Sequence, residues 1–224
     1  MEHVDFDKIY GEYFPFWKNL GDPLKEQLIR SSVKVDFKKG ENIHDSSECT
    51  GVILIKKGCL RVYMLSDEGK EITLYRLYDG DVCILSASCV MESITFDVFV
   101  DAEEDSECYI LSGCAYVIAN ERSKDVQIFT LETTVSRFSE VMWVMQQVLF
   151  MSLDRRLAIF LLDEISKSGT DTVKLTHEQI AKYMGSAREV VSRMLKYFAS
   201  EGLVEVSRGG IKILNKKQLR NIAG

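Results

Sequence analysis

The spacing of apolar residues changes character twice along the 224-residue chain. Near the N-terminus, around Pro15 and Pro23, Leu24, Leu28 and Ile29 recur at helical spacing. From Val33 the pattern alternates. Val33, Val35 and Phe37 are apolar with Lys34 and Asp36 between them, and Lys38-Lys39-Gly40-Glu41 makes a turn. Gly51–Ile55 reads as a buried strand, Leu60–Met64 alternates again, and Glu71–Leu77 leads into Asp79-Gly80-Asp81. Short strands punctuated by glycine turns predict an antiparallel β-roll. From about Lys124 the period becomes helical. Leu131, Val135, Phe138, Met142, Met145 and Leu149 follow alternating steps of four and three, extended backwards by Ile128. Such a seam predicts a long helix that pairs with a second copy of the chain. Trp143, Val144 and Val148 give that helix a second apolar edge, able to pack on the roll. A further helix through Leu157–Leu162 ends at Ser166-Lys167-Ser168-Gly169.

The last segment carries the most specific pattern. Thr176 is an N-cap with Gln179 three residues on, the two ends of a capping box. Gly185 supplies a tight turn after that short helix, and Ala181 permits close packing. In the following helix Val190, Val191, Met194, Leu195 and Phe198 face inward, leaving Arg188, Glu189, Ser192, Arg193 and Lys196 outside. Gly202–Ile213 then forms a hairpin through Gly209-Gly210. This order predicts a winged helix-turn-helix. The fold class is therefore α+β: an N-terminal antiparallel β-roll over residues 1–120, of the kind that carries a metal in some enzymes or a ligand in sensor modules, a dimerisation helix over 121–150, and a DNA-binding winged helix-turn-helix over 151–224.

Charge separates the last segment from the rest. The chain carries a net charge of −6, yet residues 169–224 hold ten Lys and Arg against five Asp and Glu. A basic module on an acidic body suits a polyanionic partner, here double-stranded DNA. With 46% hydrophobic residues the chain can bury a core, and no apolar run approaches the roughly 18 residues that cross a bilayer. The acidic start Met1-Glu2-His3-Val4-Asp5 is unlike a secretory signal, so a cytoplasmic protein with no membrane partner is expected. The six cysteines, Cys49, Cys59, Cys83, Cys89, Cys108 and Cys114, lack a Cys-x-x-Cys pair and are expected to be free, buried thiols. Cys83/Cys89 and Cys108/Cys114 are spaced evenly enough to share strand faces if their strands run unbroken. Glu103-Glu104-Asp105-Glu107 reads as a solvated acidic turn. Histidines are too few and too scattered (His3, His44, His177) for a cupin metal centre or a hydrolytic triad, so neither a metal site nor an enzyme is expected.

An arginine fork matches guanine O6 and N7, and a carboxylate accepts from cytosine N4. Arg188, Glu189 and Arg193 are therefore the expected base-reading residues. Thr176, Gln179, Ser192 and Lys196 suit phosphates, which fix register without reading sequence.

The segment Gly185-Ser186-Ala187-Arg188-Glu189-Val190-Val191-Ser192-Arg193-Met194-Leu195 resembles the recognition helix of the Crp/Fnr superfamily of bacterial transcription regulators. Its Arg-Glu-x-x-x-Arg pattern falls on Arg188, Glu189 and Arg193, and the resemblance spans roughly residues 30 to 220. It implies a homodimer on a palindromic TGTGA-like site, with RNA polymerase as a further partner. The sensor departs from the family. Members that bind cyclic nucleotides carry Gly-Glu and then Arg-Ser or Arg-Thr after a Gly-Asp turn. Here Gly80-Asp81 leads into Val82-Cys83-Ile84-Leu85-Ser86-Ala87-Ser88-Cys89, and no arginine occurs between Arg76 and Arg122. Cyclic AMP is therefore not the expected effector. An iron–sulfur cluster is not expected either, since no cysteine precedes Cys49. The expected effector pocket comprises Gly80, Asp81, Cys83, Ile84, Leu85, Ser86 and Cys89, for an unidentified ligand. Alternatives are a redox- or metal-responsive regulator using Cys83 and Cys89, a β-roll enzyme, and a protein-interaction adaptor.

Overall fold

Glycine turns cut the first half of the chain into strands, and two antiparallel four-stranded sheets result. In the computed structural model, which describes residues 4–45, 49–86 and 96–224, the strands are β1 (Ser32–Phe37), β2 (Asn42–His44), β3 (Val52–Lys57), β4 (Leu60–Leu65), β5 (Glu71–Leu77), β6 (Val82–Cys83), β7 (Phe99–Ala102) and β8 (Ser106–Leu111). One sheet has the order β1-β8-β3-β6 and the other β2-β7-β4-β5. Ile53, Ile55 and Cys108 from the first meet Leu60, Val62, Leu74 and Val100 from the second in a shared core. On the other side of β3, Val52 and Leu54 pack with the helices α1 (Phe6–Tyr13), α2 (Asp22–Arg30) and α3 (Gly113–Arg122). Alternation along β3 is thus apolar on both sides, which is why its sequence reads as an unbroken hydrophobic run.

Helix α4 (Lys124–Phe150) follows after a break at Ser123. Val126 is fully buried at its start, and Phe129 and Val141 pack against the two cores of the roll. The chain divides into two compact units, Met1–Leu65 with Leu74–Val141, and Ser66–Thr73 with Met142–Gly224. The second contains α5 (Leu153–Ser168), α6 (His177–Met184), α7 (Arg188–Ser200) and α8 (Lys216–Ala223), with a three-stranded sheet in the order β10 (Val204–Ser207), β11 (Gly210–Ile213), β9 (Thr172–Val173). Its core joins Leu157, Leu161, Ile180, Val191, Leu195, Phe198 and Leu219.

Four local expectations are corrected. Cys108 lies in β8 whereas Cys114 lies exposed in α3, so that pair shares no strand face. β6 ends at Cys83, so strand pairing does not extend towards Cys89, which lies outside the described residues. The six cysteines are also not one class of free thiol: Cys59, Cys83, Cys108 and Cys114 are free, whereas Cys49 is held in a disulfide. The acidic run 103–107 is only partly solvated. Asp105 pairs with Lys38 in the open, while the Glu103 side chain turns inward, 17% exposed, towards Arg76 and the Cys59 thiol. Burial, with Glu103 alongside, pushes that thiol up to about 12.

Candidate nucleic-acid interface

The two helices of the turn motif owe their geometry to local chemistry. Thr176 Oγ1 accepts from Gln179 N at 3.1 Å, and Thr176 N donates to Gln179 Oε1 at 2.9 Å, closing the capping box that starts α6. Ala181 is 4% exposed and lets the helices approach closely. α6 ends at Gly185, whose φ of +58° is left-handed and strains residues with a Cβ. Ser186 N then donates to Ala181 O, folding the chain back for α7. Arg156 on α5 donates to the Met184 carbonyl, occupying an acceptor that the helix end leaves open.

Helix α7 has two unlike sides. Val191, Leu195 and Phe198 are fully buried, while Arg188, Glu189, Arg193 and Lys196 are exposed and Ser192 is half-buried among them. Val190 and Met194, expected inside, lie at the margin and are half-buried. Residues 188, 189, 192, 193 and 196 form one stripe at helical spacing. Ala187, at the N-cap, offers no side-chain acceptor, so the first turn of α7 has no side-chain cap, and Glu189 there complements the helix dipole.

Two features of this face escape a reading of the sequence. His177 opens α6 half-buried, and its pKa is lowered first by burial and then by the charges of Arg188 and Lys196 on α7. It also lines a groove with Lys174, Thr176, Ser207 and Arg208, between the start of α6 and the wing. The only sequence signal for either is proximity to the capping box. The wing turns through Arg208-Gly209 rather than Gly209-Gly210, with Gly210 already in β11. Gly210 has φ +128°, and a Cβ there would stand 2.5 Å from the Val173 carbonyl oxygen of β9, so glycine is required twice over.

In the roll, the expected effector residues are walls of the fold. Gly80 N donates to Ile55 O, and Asp81 Oδ2 accepts from Tyr78 N at 2.8 Å. Cys83 and Ile84 are buried in the two separate cores, Leu85 is half-buried, and the fully buried Ser86 hydroxyl donates to the Gly51 carbonyl. Burial raises the Cys83 thiol pKa. Cys89 lies outside the described residues. Among the described residues, no group of three or more His, Cys, Asp or Glu stands close enough to hold a metal.

The seam of α4 is open. Leu131, Val135, Phe138, Met142, Met145 and Leu149 are between 42% and 64% exposed, far more than a buried core helix allows. No helix among the described residues is long and apolar enough to cross a membrane.

Comparison with known proteins decides the family. The model of the Crp-like helix-turn-helix domain matches residues 155–222. A transcriptional regulator of the Crp/Fnr family from Eubacterium rectale ATCC 33656 is 47% identical in its crystal structure, with 95% of this chain and 99% of that one covered at a TM-score of 0.91. The chain belongs to the Crp/Fnr family of transcription regulators. Other relatives are transcriptional regulators as well. The transcriptional regulator flp of Lacticaseibacillus casei is 26% identical over 93% of this chain and 95% of its own length. The cAMP-activated global regulator Vfr of Pseudomonas aeruginosa is 23% identical over 75% of this chain and 82% of its own. Crp/Fnr membership accounts for the roll, the long helix and the helix-turn-helix together. It makes the chain a DNA-binding regulator and not an enzyme.

Proposed function

We propose that the protein is a homodimeric, sequence-specific regulator that reads a palindromic TGTGA-like site. Arg188, Glu189 and Arg193 would read bases, while Thr176, Gln179, Ser192 and Lys196 would hold phosphates. The observation that carries this reading is the polar stripe on α7, in which Arg188, Glu189, Arg193 and Lys196 are exposed, backed by fully buried Val191, Leu195 and Phe198. Thr176 and Gln179 remain able to serve. The Thr176 hydroxyl accepts within the cap and keeps its own proton to donate, and the Gln179 amide keeps its NH2.

The open seam of α4 favours the dimer, because a contiguous apolar stripe is rarely left to solvent. Two copies joined there would place their α7 helices about 34 Å apart, one turn of the duplex. In this reading residues 1–120 sense, 121–150 dimerise and 151–224 bind DNA, in the cytoplasm, with RNA polymerase as the downstream contact.

The effector is a ligand of the roll other than cyclic AMP. Vfr is cAMP-activated, but here Ile84 and Leu85 stand where nucleotide-binding relatives carry Gly-Glu, and Ile84 is 4% exposed within the core. The ribose loses a charge-assisted hydrogen bond of about 1.5–3 kcal/mol. A redox-controlled regulator is a second reading, favoured by the disulfide at Cys49. The deciding experiment is fluorescence anisotropy of a labelled TGTGA palindrome against a scrambled duplex, with reduced and with oxidised protein. Selective, salt-sensitive binding supports the DNA reading, and a difference between redox states supports the second. Salt-insensitive binding would point to an adaptor instead, because phosphate contacts release counterions.

A further inference from the structure

We infer that Arg137 is the positioning residue that fixes the setting of α4 on the roll, acting through Asp81. This rests on the dimer role proposed for α4. Arg137 lies on the helix one residue before Phe138 of the open seam, and its side chain is only 15% exposed. Its guanidinium spans two carboxylates. Nη2 donates to Asp81 Oδ1 at 3.0 Å and Nη1 to Glu140 Oε1 at 2.8 Å. The group also lies over the Tyr75 ring of β5, 5.3 Å from its centre, and its charge reaches Cys83 of β6. Nε is buried with no hydrogen-bond partner among the described residues.

The two ends of this contact differ in freedom. Asp81 is tied to the roll at three other points. Its second carboxylate oxygen accepts from Tyr78 N, its own N–H donates to Tyr78 O, and its carbonyl accepts from Ile55 N. Asp81 therefore cannot follow the helix, so the ion pair registers the helix against the roll. Neighbouring residues on a helix are about 100° apart, so any rotation that moves Arg137 moves Phe138 with it. Asp81 directly precedes β6, the strand that enters the expected effector segment.

The test is a double-mutant cycle on the full-length chain with Asp81→Asn and Arg137→Met. Asparagine keeps an oxygen for Tyr78 N while losing the charge. Dimer dissociation is read by sedimentation equilibrium and DNA affinity by anisotropy. Each single variant is expected to change dimer dissociation by about fivefold or more, with the double variant no worse than either single one. Arg137→Lys, which keeps the charge but not the two-carboxylate span, should recover part of the loss seen in Arg137→Met. Protection of the buried Cys108 thiol from a thiol reagent should be unchanged, which a loss of roll folding would not leave intact. Changes below about fivefold in both single variants, or losses that multiply in the double, would overturn the proposal. If wild type fails to select the palindrome, the DNA reading has failed, while the coupling is still decided by the dimer measurement.

Discussion

Thr176 and Gln179 cap one another across the first turn of α6, each backbone N–H donating to the other's side chain. The pair satisfies two of the donors that a helix start leaves open. Thr176→Ala should therefore destabilise the C-terminal unit by about 1 kcal/mol, read as a lower urea midpoint with an unchanged slope. Thr176→Ser keeps the acceptor and should recover nearly all of that loss. If serine also restores phosphate contact, the DNA affinity of the two variants will separate in the same order.

That capping box was legible in the sequence because it is local: cap, partner and turn glycine lie within ten residues. So were the seam and the outward side of α7, which follow from helical period alone, although Val190 and Met194 lie at the margin rather than inside. The strand spacing of the roll was legible for the same reason. The Arg137–Asp81 pair was not, because it joins residues 56 apart in the chain, and a lone arginine beside an apolar seam looks like a solvated charge. The inward turn of Glu103 was hidden in the same way, since four acidic residues in five positions read as a water-facing run until Arg76 and Cys59 are found next to one of them. Periodicity reports which side of an element is buried, and it is silent on which charges long-range packing brings together.

Arg188 tests the base-reading role most directly. It stands exposed at the first position of α7, where a recognition helix enters the major groove. Arg188→Ala should weaken binding to the preferred palindrome by about 1–3 kcal/mol and relax selectivity at one base pair of each half-site. Titration against duplexes varied at single positions checks this. Equal losses on every duplex would show that Arg188 touches only phosphate.

The seam gives a prediction about assembly. Phe138 is 63% exposed and sits near the middle of the stripe. Phe138→Glu places a charge where the proposed partner helix packs, and in a symmetric dimer it does so twice. Sedimentation should show a shift to monomer at concentrations where wild type is dimeric. Thermal stability of the roll should barely move, because an exposed side chain contributes little to its own subunit's core. A variant that stays fully dimeric would sink the assignment of this seam as the interface.

DNA binding is expected to depend on pH through His177. In the free protein its pKa is lowered, first by burial and then by Arg188 and Lys196. Lys174 and Arg208 line the same groove, and Glu178 is the adjoining carboxylate. Bound phosphates would bring negative charge to this cationic surface, so the pKa in the complex should be higher than in the free protein. Binding then takes up a proton, and affinity should rise as pH falls through the range set by the free and bound values. The gain is up to about tenfold for each unit separating the two pKa values, and it vanishes well above them. His177→Gln keeps a polar side chain at the position but cannot titrate, so its affinity should be flat over the same range. Buried His44, whose pKa is also lowered, lies in the roll and serves as the internal control: His44→Gln should leave the pH slope unchanged. Measured at constant ionic strength, an equal slope in wild type and His177→Gln would remove His177 from the DNA-linked groups.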